Sequence, residues 1–76
     1  EQNEKTFAQM NPDRVQAMAL LGEALLGDGR PAEAAAWYRR ALDGRAQLDA
    51  TLIRIAPPRD ALESGLNSAL RQSALR

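Results

Sequence analysis

The sequence predicts an all-α fold: an antiparallel helical hairpin with a long second helix, followed by an additional C-terminal packing or capping helix. Three observations predict this fold. The alternation of apolar and polar residues that marks half-buried strands is absent. Ala, Leu, Arg, Glu and Gln dominate, and these residues lose little freedom on entering a helix. Prolines near residues 12, 31 and 57 divide the chain into helix-sized segments.

The first predicted helix runs from about residue 14 to 27. The residue before Pro12 is pushed out of the helical conformation, and we expect Asp13 to cap the helix through its carboxylate. Apolar residues then recur at spacings of three and four, at Val15, Met18, Leu21 and Leu25. The helix should end at residues 27–29, where two glycines reach a positive φ without steric cost.

The second predicted helix begins at Pro31, a position where the missing N–H is not needed. Its apolar face follows spacings of four and three, at Ala34, Tyr38, Ala41, Leu48, Leu52 and Ile55, with Arg45 as the polar exception. Gly44 favours a break, because glycine inside a helix costs about 1 kcal/mol. Since the apolar spacing continues past Gly44, we expect one helix of about 25 residues, about 37 Å long. Pro57 and Pro58 end it.

The last predicted helix covers about residues 61–74. Asp60 and Glu63 have the spacing of a capping box. A line of small residues at spacings of four follows, at Ala61, Gly65, Ala69 and Ser73, flanked by Leu62, Leu66 and Leu70. Such a line allows close packing within the chain, or it forms a seam for self-association through Ala61, Gly65 and Ala69. The sequence leaves both roles open.

The composition bounds the class of function. A chain of 76 residues forms one small domain of marginal stability. It begins with Glu1 rather than Met, so we expect a chain that was cut from a longer protein or processed. Residues 1–11 are then the remnant of a preceding helix or a flexible arm, 13–56 the hairpin and 57–76 the last helix. Nine Arg against one Lys, with abundant Ala, favour a bacterial source; the compartment stays undetermined.

The charges argue against nucleic acid as a partner. Ten basic residues balance ten acidic ones, although residues 1–38 carry three basic and six acidic residues, a net −3, and residues 39–76 carry seven and four, a net +3. Arg39 and Arg40 follow two aromatic residues, but Asp43 and Asp49 alternate with them in sign, unlike a phosphate-binding surface. The most apolar stretch is too short to span a membrane, so we predict no membrane insertion.

The sequence predicts no catalytic, cofactor or metal site. His and Cys are both absent, which removes the commonest general bases and metal ligands. Glu23 is the one carboxylate on an otherwise apolar helix face. We expect it to be a rim residue paired with an Arg, and the alternative is a binding role.

Residues 15–48 resemble a tetratricopeptide repeat, a helix-turn-helix unit of about 34 residues. The eight places of its pattern hold Met18, Leu21, Gly22, Leu25, Ala34, Tyr38, Ala41 and Ala46, and six of these, all but Met18 and Ala46, are matched or replaced by a similar apolar residue. Ala46 replaces the closing proline, and Pro57-Pro58 stands where a following repeat would begin. Pro12 resembles the closing proline of a preceding repeat, whose second helix would cover residues 4–10.

The resemblance implies a non-catalytic protein-interaction module that binds a peptide or helix of a partner protein or scaffolds an assembly. It implies that the first helix lines a binding groove with Gln16, Ala19, Glu23, Leu26 and Gly27. Some family members clamp a C-terminal carboxylate with Lys and Asn. Here Ala19 and Glu23 stand at such places, so a basic or apolar segment is expected instead. The alternative is a self-associating or array-capping element that forms a homo-oligomer.

Small residues are also expected where the two hairpin helices cross. Gly22, Ala34 and Ala41 are small enough to let the helix axes approach closely. Trp37 and Tyr38 supply bulk on the side where the next helix packs.

Overall fold

A computed structural model of the chain describes residues 10–74. Three α-helices form in these residues: α1 (Pro12–Gly27), α2 (Pro31–Ala46) and α3 (Arg59–Ala74), with a 3-10 helix (Leu52–Arg54) between α2 and α3. Residues 10–74 contain no strand, and α1 and α2 form a packed hairpin against which α3 lies, so the all-α prediction is confirmed. The helix expected over residues 4–10 lies, apart from Met10, outside the described residues.

Helix α1 is capped by Asn11 rather than by Asp13. The Asn11 backbone is extended, and its Oδ1 accepts a hydrogen bond of 2.9 Å from the Arg14 amide. The prediction was wrong because Pro12 already has a helical φ and takes the first helical position. The cap must precede it, and a residue before proline is extended, as a cap requires. Asp13 lies in the first turn, where its charge favours the helix dipole.

The hairpin turn has the predicted chemistry. Helix α1 ends at Gly27, and Gly29 has a φ of +79°, which only glycine adopts without strain. The Arg30 amide donates to the Leu25 carbonyl at 2.9 Å, which closes the turn. Helix α2 then begins at Pro31, as predicted.

Helix α2 ends at Ala46, so the single helix expected up to about residue 56 is wrong. Gly44 stays helical and buried, because the side chains of Met10 and Met18 lie against it. Residues 48–56 instead form turns and a 3-10 helix, in which Leu48 is buried in the core and Ile55 is 73% exposed. A 3-10 helix has about three residues per turn, so the apolar spacing did not distinguish it from a continuing α-helix.

Two hydrogen bonds hold the connection between α2 and α3, residues 47–58, in place. Asp49 accepts a hydrogen bond of 2.9 Å from the Leu52 amide through its Oδ1, at the start of the 3-10 helix. The Arg45 Nε donates to the Pro57 carbonyl at 2.9 Å, and this bond ties the end of the segment to α2. Arg45, the polar exception in the predicted apolar face, therefore anchors the connection between α2 and α3.

Helix α3 begins at Arg59, and the predicted capping box does not form. The Pro58 carbonyl accepts from the Ala61 and Leu62 amides at 3.1 and 3.2 Å. The Glu63 carboxylate accepts from the Arg59 Nε at 2.8 Å, one turn back, rather than from a backbone amide. Because the helix starts before Asp60, that residue lies within the first turn and is not the cap.

The core is small and rich in alanine. Its buried apolar residues are Val15, Ala34, Ala35, Tyr38, Ala41, Leu48, Leu62 and Ala69. Gly22 is also buried, so all three positions expected at the helix crossing face inward. Leu21, predicted on the inner face of α1, is instead 45% exposed. Gly22 faces α2 in its place, because only a residue without a Cβ fits beside the Tyr38 ring.

Candidate functional site

A cleft opens between α1 and α3. Helix α2 packs closely against both of these helices, whereas α1 and α3 contact each other only sparsely. The resulting α1/α3 cleft has a volume of about 190 Å³. It is lined by Gln16, Ala19, Leu20, Glu23, Tyr38, Pro57, Ala61 and Leu62. Clefts that enclose small-molecule ligands measure about 300–1,000 Å³, so this one has the size of a single side chain.

Tyr38 forms the floor of the α1/α3 cleft and is wedged between two glycines. A Cβ on Gly22 would lie 2.8 Å from the ring Cε2, and a Cβ on Gly65 would overlap the Cε1 and Cζ atoms on the other side of the ring. The ring therefore cannot move away from one helix without moving into the other. This wedge explains how one aromatic residue of α2 sets the spacing of α1 and α3.

Three of the five predicted groove residues line the α1/α3 cleft. Gln16 and Glu23 are exposed, and Ala19 is half-buried between them. The other two lie elsewhere. Leu26 packs against the core, and Gly27 is exposed at the end of α1, with open space where a Cβ would lie.

Sequence analysis missed four other lining residues, Leu20, Tyr38, Pro57 and Leu62. A sequence signal for Leu20 was present, because it lies four residues after Gln16 and three before Glu23, a spacing that places all three on one helix face.

The small-residue line of α3 is largely used inside the chain. Ala69 is fully buried, and Gly65 contacts the Tyr38 ring. Only Ala61 is exposed, at the edge of the α1/α3 cleft. A seam for self-association that used all three residues would require α3 to leave the hairpin.

Among the described residues that line the α1/α3 cleft, Glu23 carries the only charge. Ion pairs within the described residues join Arg30 to Glu33 and Arg59 to Glu63, and neither includes Glu23. The expected pairing of Glu23 with an Arg therefore does not occur within residues 10–74. Burial raises the pKa of the Tyr38 hydroxyl above 10.0, and the negative field of Glu23 raises it further. The Glu23 carboxylate, which has no ion pair with a described residue, thus acts on the Tyr38 hydroxyl at the floor of the cleft.

Replacement of Glu23 by glutamine is expected to lower the pKa of Tyr38 but to leave it above 10.0, since burial, the larger cause, remains. The folded chain disfavours the phenolate, so the unfolded chain loses this proton first and stability falls as the pH rises above 10.0. Tyr38 is the only tyrosine, so phenolate absorbance reports it alone. Asp13→Asn removes a charge from the start of the same helix and should leave the pKa unchanged. An equal decrease in both variants would contradict the placement of Glu23.

A second cleft, of about 430 Å³, lies beside the C-terminal end of α2. Its charged lining residues are Asp43, Arg45, Arg59 and Glu63. Three of these are already engaged, because Arg59 pairs with Glu63 and Arg45 donates to a backbone carbonyl. Most of the charged groups in this cleft are therefore already engaged within the chain and are less available to a ligand.

Trp37 and the neighbouring basic pair also have a structural role. The Arg40 guanidinium lies 4.7 Å from the centre of the Trp37 ring, in a cation–π contact. Arg39 and Arg40 are exposed together with Asp43, so the signs alternate on this surface as the sequence indicated.

Within residues 10–74, no group of three or more acidic side chains is arranged to hold a metal ion. None of the helices in this part of the chain is long and apolar enough to cross a membrane. Comparison with protein-family models, with curated proteins and with solved structures found no match.

Proposed function

We propose that the chain is a non-catalytic protein-interaction module of the tetratricopeptide-repeat type, which binds a peptide or helix of a partner protein in the α1/α3 cleft. One observation supports the proposal. The resemblance implies a groove role for Gln16, Ala19 and Glu23, and all three line a single cleft. These three residues belong to α1, and Ala61 and Leu62 of α3 also line the cleft. A concave surface between two helices is typical of a groove that receives a segment of another chain.

The chemistry of the α1/α3 cleft supports a peptide rather than a small molecule. Its walls combine apolar side chains, including Leu20 and Leu62, with few polar groups, and its floor is an aromatic ring. Peptide-binding surfaces commonly present a small apolar pocket for one anchor residue, while the rest of the peptide lies across the rim.

Chemical-shift mapping tests the proposal. Cationic and amphipathic peptides are titrated into isotope-labelled protein, and we expect shift changes at Gln16, Ala19 and Glu23. Leu20→Ser should weaken the best peptide about five- to tenfold, because it removes an apolar wall of the cleft. Leu21→Ser is the matched control: Leu21 is similarly exposed, at 45% against 52%, but lies outside the cleft.

Three outcomes would contradict the proposal. They are a panel that leaves residues 16–27 unperturbed, equal weakening by the two serine variants, and shift changes confined to the opposite side of α2. Sedimentation of the same samples distinguishes the alternative function. A dimer that forms without peptide, at the concentrations used, would favour self-association.

A further inference from the structure

We infer that the α1/α3 cleft accepts one basic side chain, arginine or lysine, from the partner, with its apolar stem along the cleft wall and its cationic head at Glu23. This inference rests on the proposed function, since it names the chemistry of the residue that anchors the peptide. Three properties of the cleft support it: its volume, the distribution of its polar groups and its charge.

The volume limits the occupant to one side chain. An apolar cavity of about 150 Å³ holds a benzene-sized molecule, and the α1/α3 cleft measures about 190 Å³. A single long unbranched side chain matches this volume. We therefore place one residue in the cleft, projecting from a segment that lies outside it.

The lining favours a side chain with an apolar stem and a polar tip. Ala19, Leu20 and Leu62 offer apolar surface, and Pro57 and Ala61 extend it on the α3 side. The polar groups, Gln16 and Glu23, both belong to the exposed edge of α1. Arginine and lysine match this arrangement, because their methylene stems lie along apolar surface while the charged head stays near water.

The charge selects a cation. Glu23 is the only charged residue among the described lining residues and makes no ion pair with any of residues 10–74. Its field reaches the Tyr38 hydroxyl at the floor, so the negative potential extends into the cleft. An acidic side chain would meet repulsion here, and a purely apolar one would gain nothing from the carboxylate. A guanidinium or ammonium group gains a charge-assisted hydrogen bond instead.

Capped single residues test the inference without knowledge of the partner. N-acetyl-arginine amide and its neutral isostere N-acetyl-citrulline amide are titrated into the labelled protein at constant ionic strength. N-acetyl-lysine amide and N-acetyl-norleucine amide form the second pair. Because ligands this small bind weakly, dissociation constants in the millimolar range are expected. The cationic member of at least one pair should bind about fivefold more tightly, with shift changes at Gln16, Ala19 and Tyr38.

Two variants assign the effect to the carboxylate. Glu23→Gln should remove the preference for the cation while the neutral analogues bind as before. Asp13→Asn, which removes one negative charge from α1 outside the cleft, should preserve it. Added salt should weaken only the cationic ligands.

The inference is overturned if neither cation binds at the cleft, if both neutral analogues bind as tightly as their cations, or if Glu23→Gln leaves the preference intact. Its failure is distinguishable from failure of the proposed function. A peptide without basic residues that binds at the cleft and responds to Leu20→Ser, but not to Leu21→Ser, would support peptide binding and contradict the basic anchor.

Discussion

Replacement of Gly65 by leucine is expected to leave most of the chain unfolded at 25 °C. Even a Cβ at this position would overlap the Tyr38 ring, and the ring is held from the other side by Gly22. Overpacking that cannot relax costs about 3 kcal/mol or more. A core of this size rarely contributes more than about 3–5 kcal/mol of net stability. Loss of the helical far-UV circular dichroism signal and of a cooperative urea transition would confirm that the variant is unfolded.

Gly27→Leu is the matched control for Gly65→Leu. Gly27 also lies in a helix, but a Cβ added there would meet no atom within 4 Å outside its own neighbourhood. Leucine has a higher helix propensity than glycine, so this variant should be neutral or more stable by up to about 1 kcal/mol. The cost of Gly65→Leu should also shrink when Tyr38 is shortened to alanine, because the overlap disappears. Equal losses at the two glycines, or additivity with Tyr38→Ala, would contradict the wedge.

Replacement of Tyr38 by alanine is the second large effect, with an expected loss of about 3–5 kcal/mol in the free energy of unfolding. The side chain is 6% exposed and is the contact that α2 makes with both Gly22 and Gly65. Its removal leaves a cavity between helices whose backbones are already close, so collapse can fill little of it. Urea denaturation, or thermal melting where the variant still folds, measures the loss.

Two neighbouring substitutions separate the ring from its surroundings. Tyr38→Phe keeps the ring and should cost less than about 1.5 kcal/mol, because only the hydroxyl is lost. Trp37→Ala removes a larger aromatic side chain that is half-buried and lies against Arg40. We expect this variant to cost less than Tyr38→Ala. A greater loss of stability in Trp37→Ala than in Tyr38→Ala would contradict the placement of the Tyr38 ring between the helices.

The wedge links stability to the proposed binding site. Tyr38 holds the three helices at their spacing and also forms the floor of the α1/α3 cleft. Substitutions at Tyr38 therefore cannot separate loss of binding from loss of folding. Substitutions at the exposed residues Leu20 and Glu23 can separate the two effects. Leu21 and Asp13 provide the matched controls.

Sequence reasoning was most accurate where the structure depends on local backbone chemistry. Gly29 and Pro31 set the hairpin turn by their own conformational limits, and the turn formed as predicted. Helices α1 and α3 each begin one residue before the predicted cap: Asn11 replaces Asp13 because Pro12 takes the first helical position, and the Pro58 carbonyl, rather than Asp60, accepts from the first amides of α3. Of the five residues to which the resemblance gave a groove role, Gln16, Ala19 and Glu23 line the α1/α3 cleft and Leu26 and Gly27 lie outside it, and their binding role stays a prediction.

By itself, the sequence determined the helical class, the turn at residues 27–31 and the small residues at the helix crossing, because propensity, proline and glycine act within a few residues. Only the tertiary structure decided that α2 ends at Ala46, that Gly65 meets Tyr38 and that Glu23 has no ion pair with a described residue. Each of these depends on which distant side chain occupies the adjoining space, and apolar spacing along one helix carries no information about that neighbour.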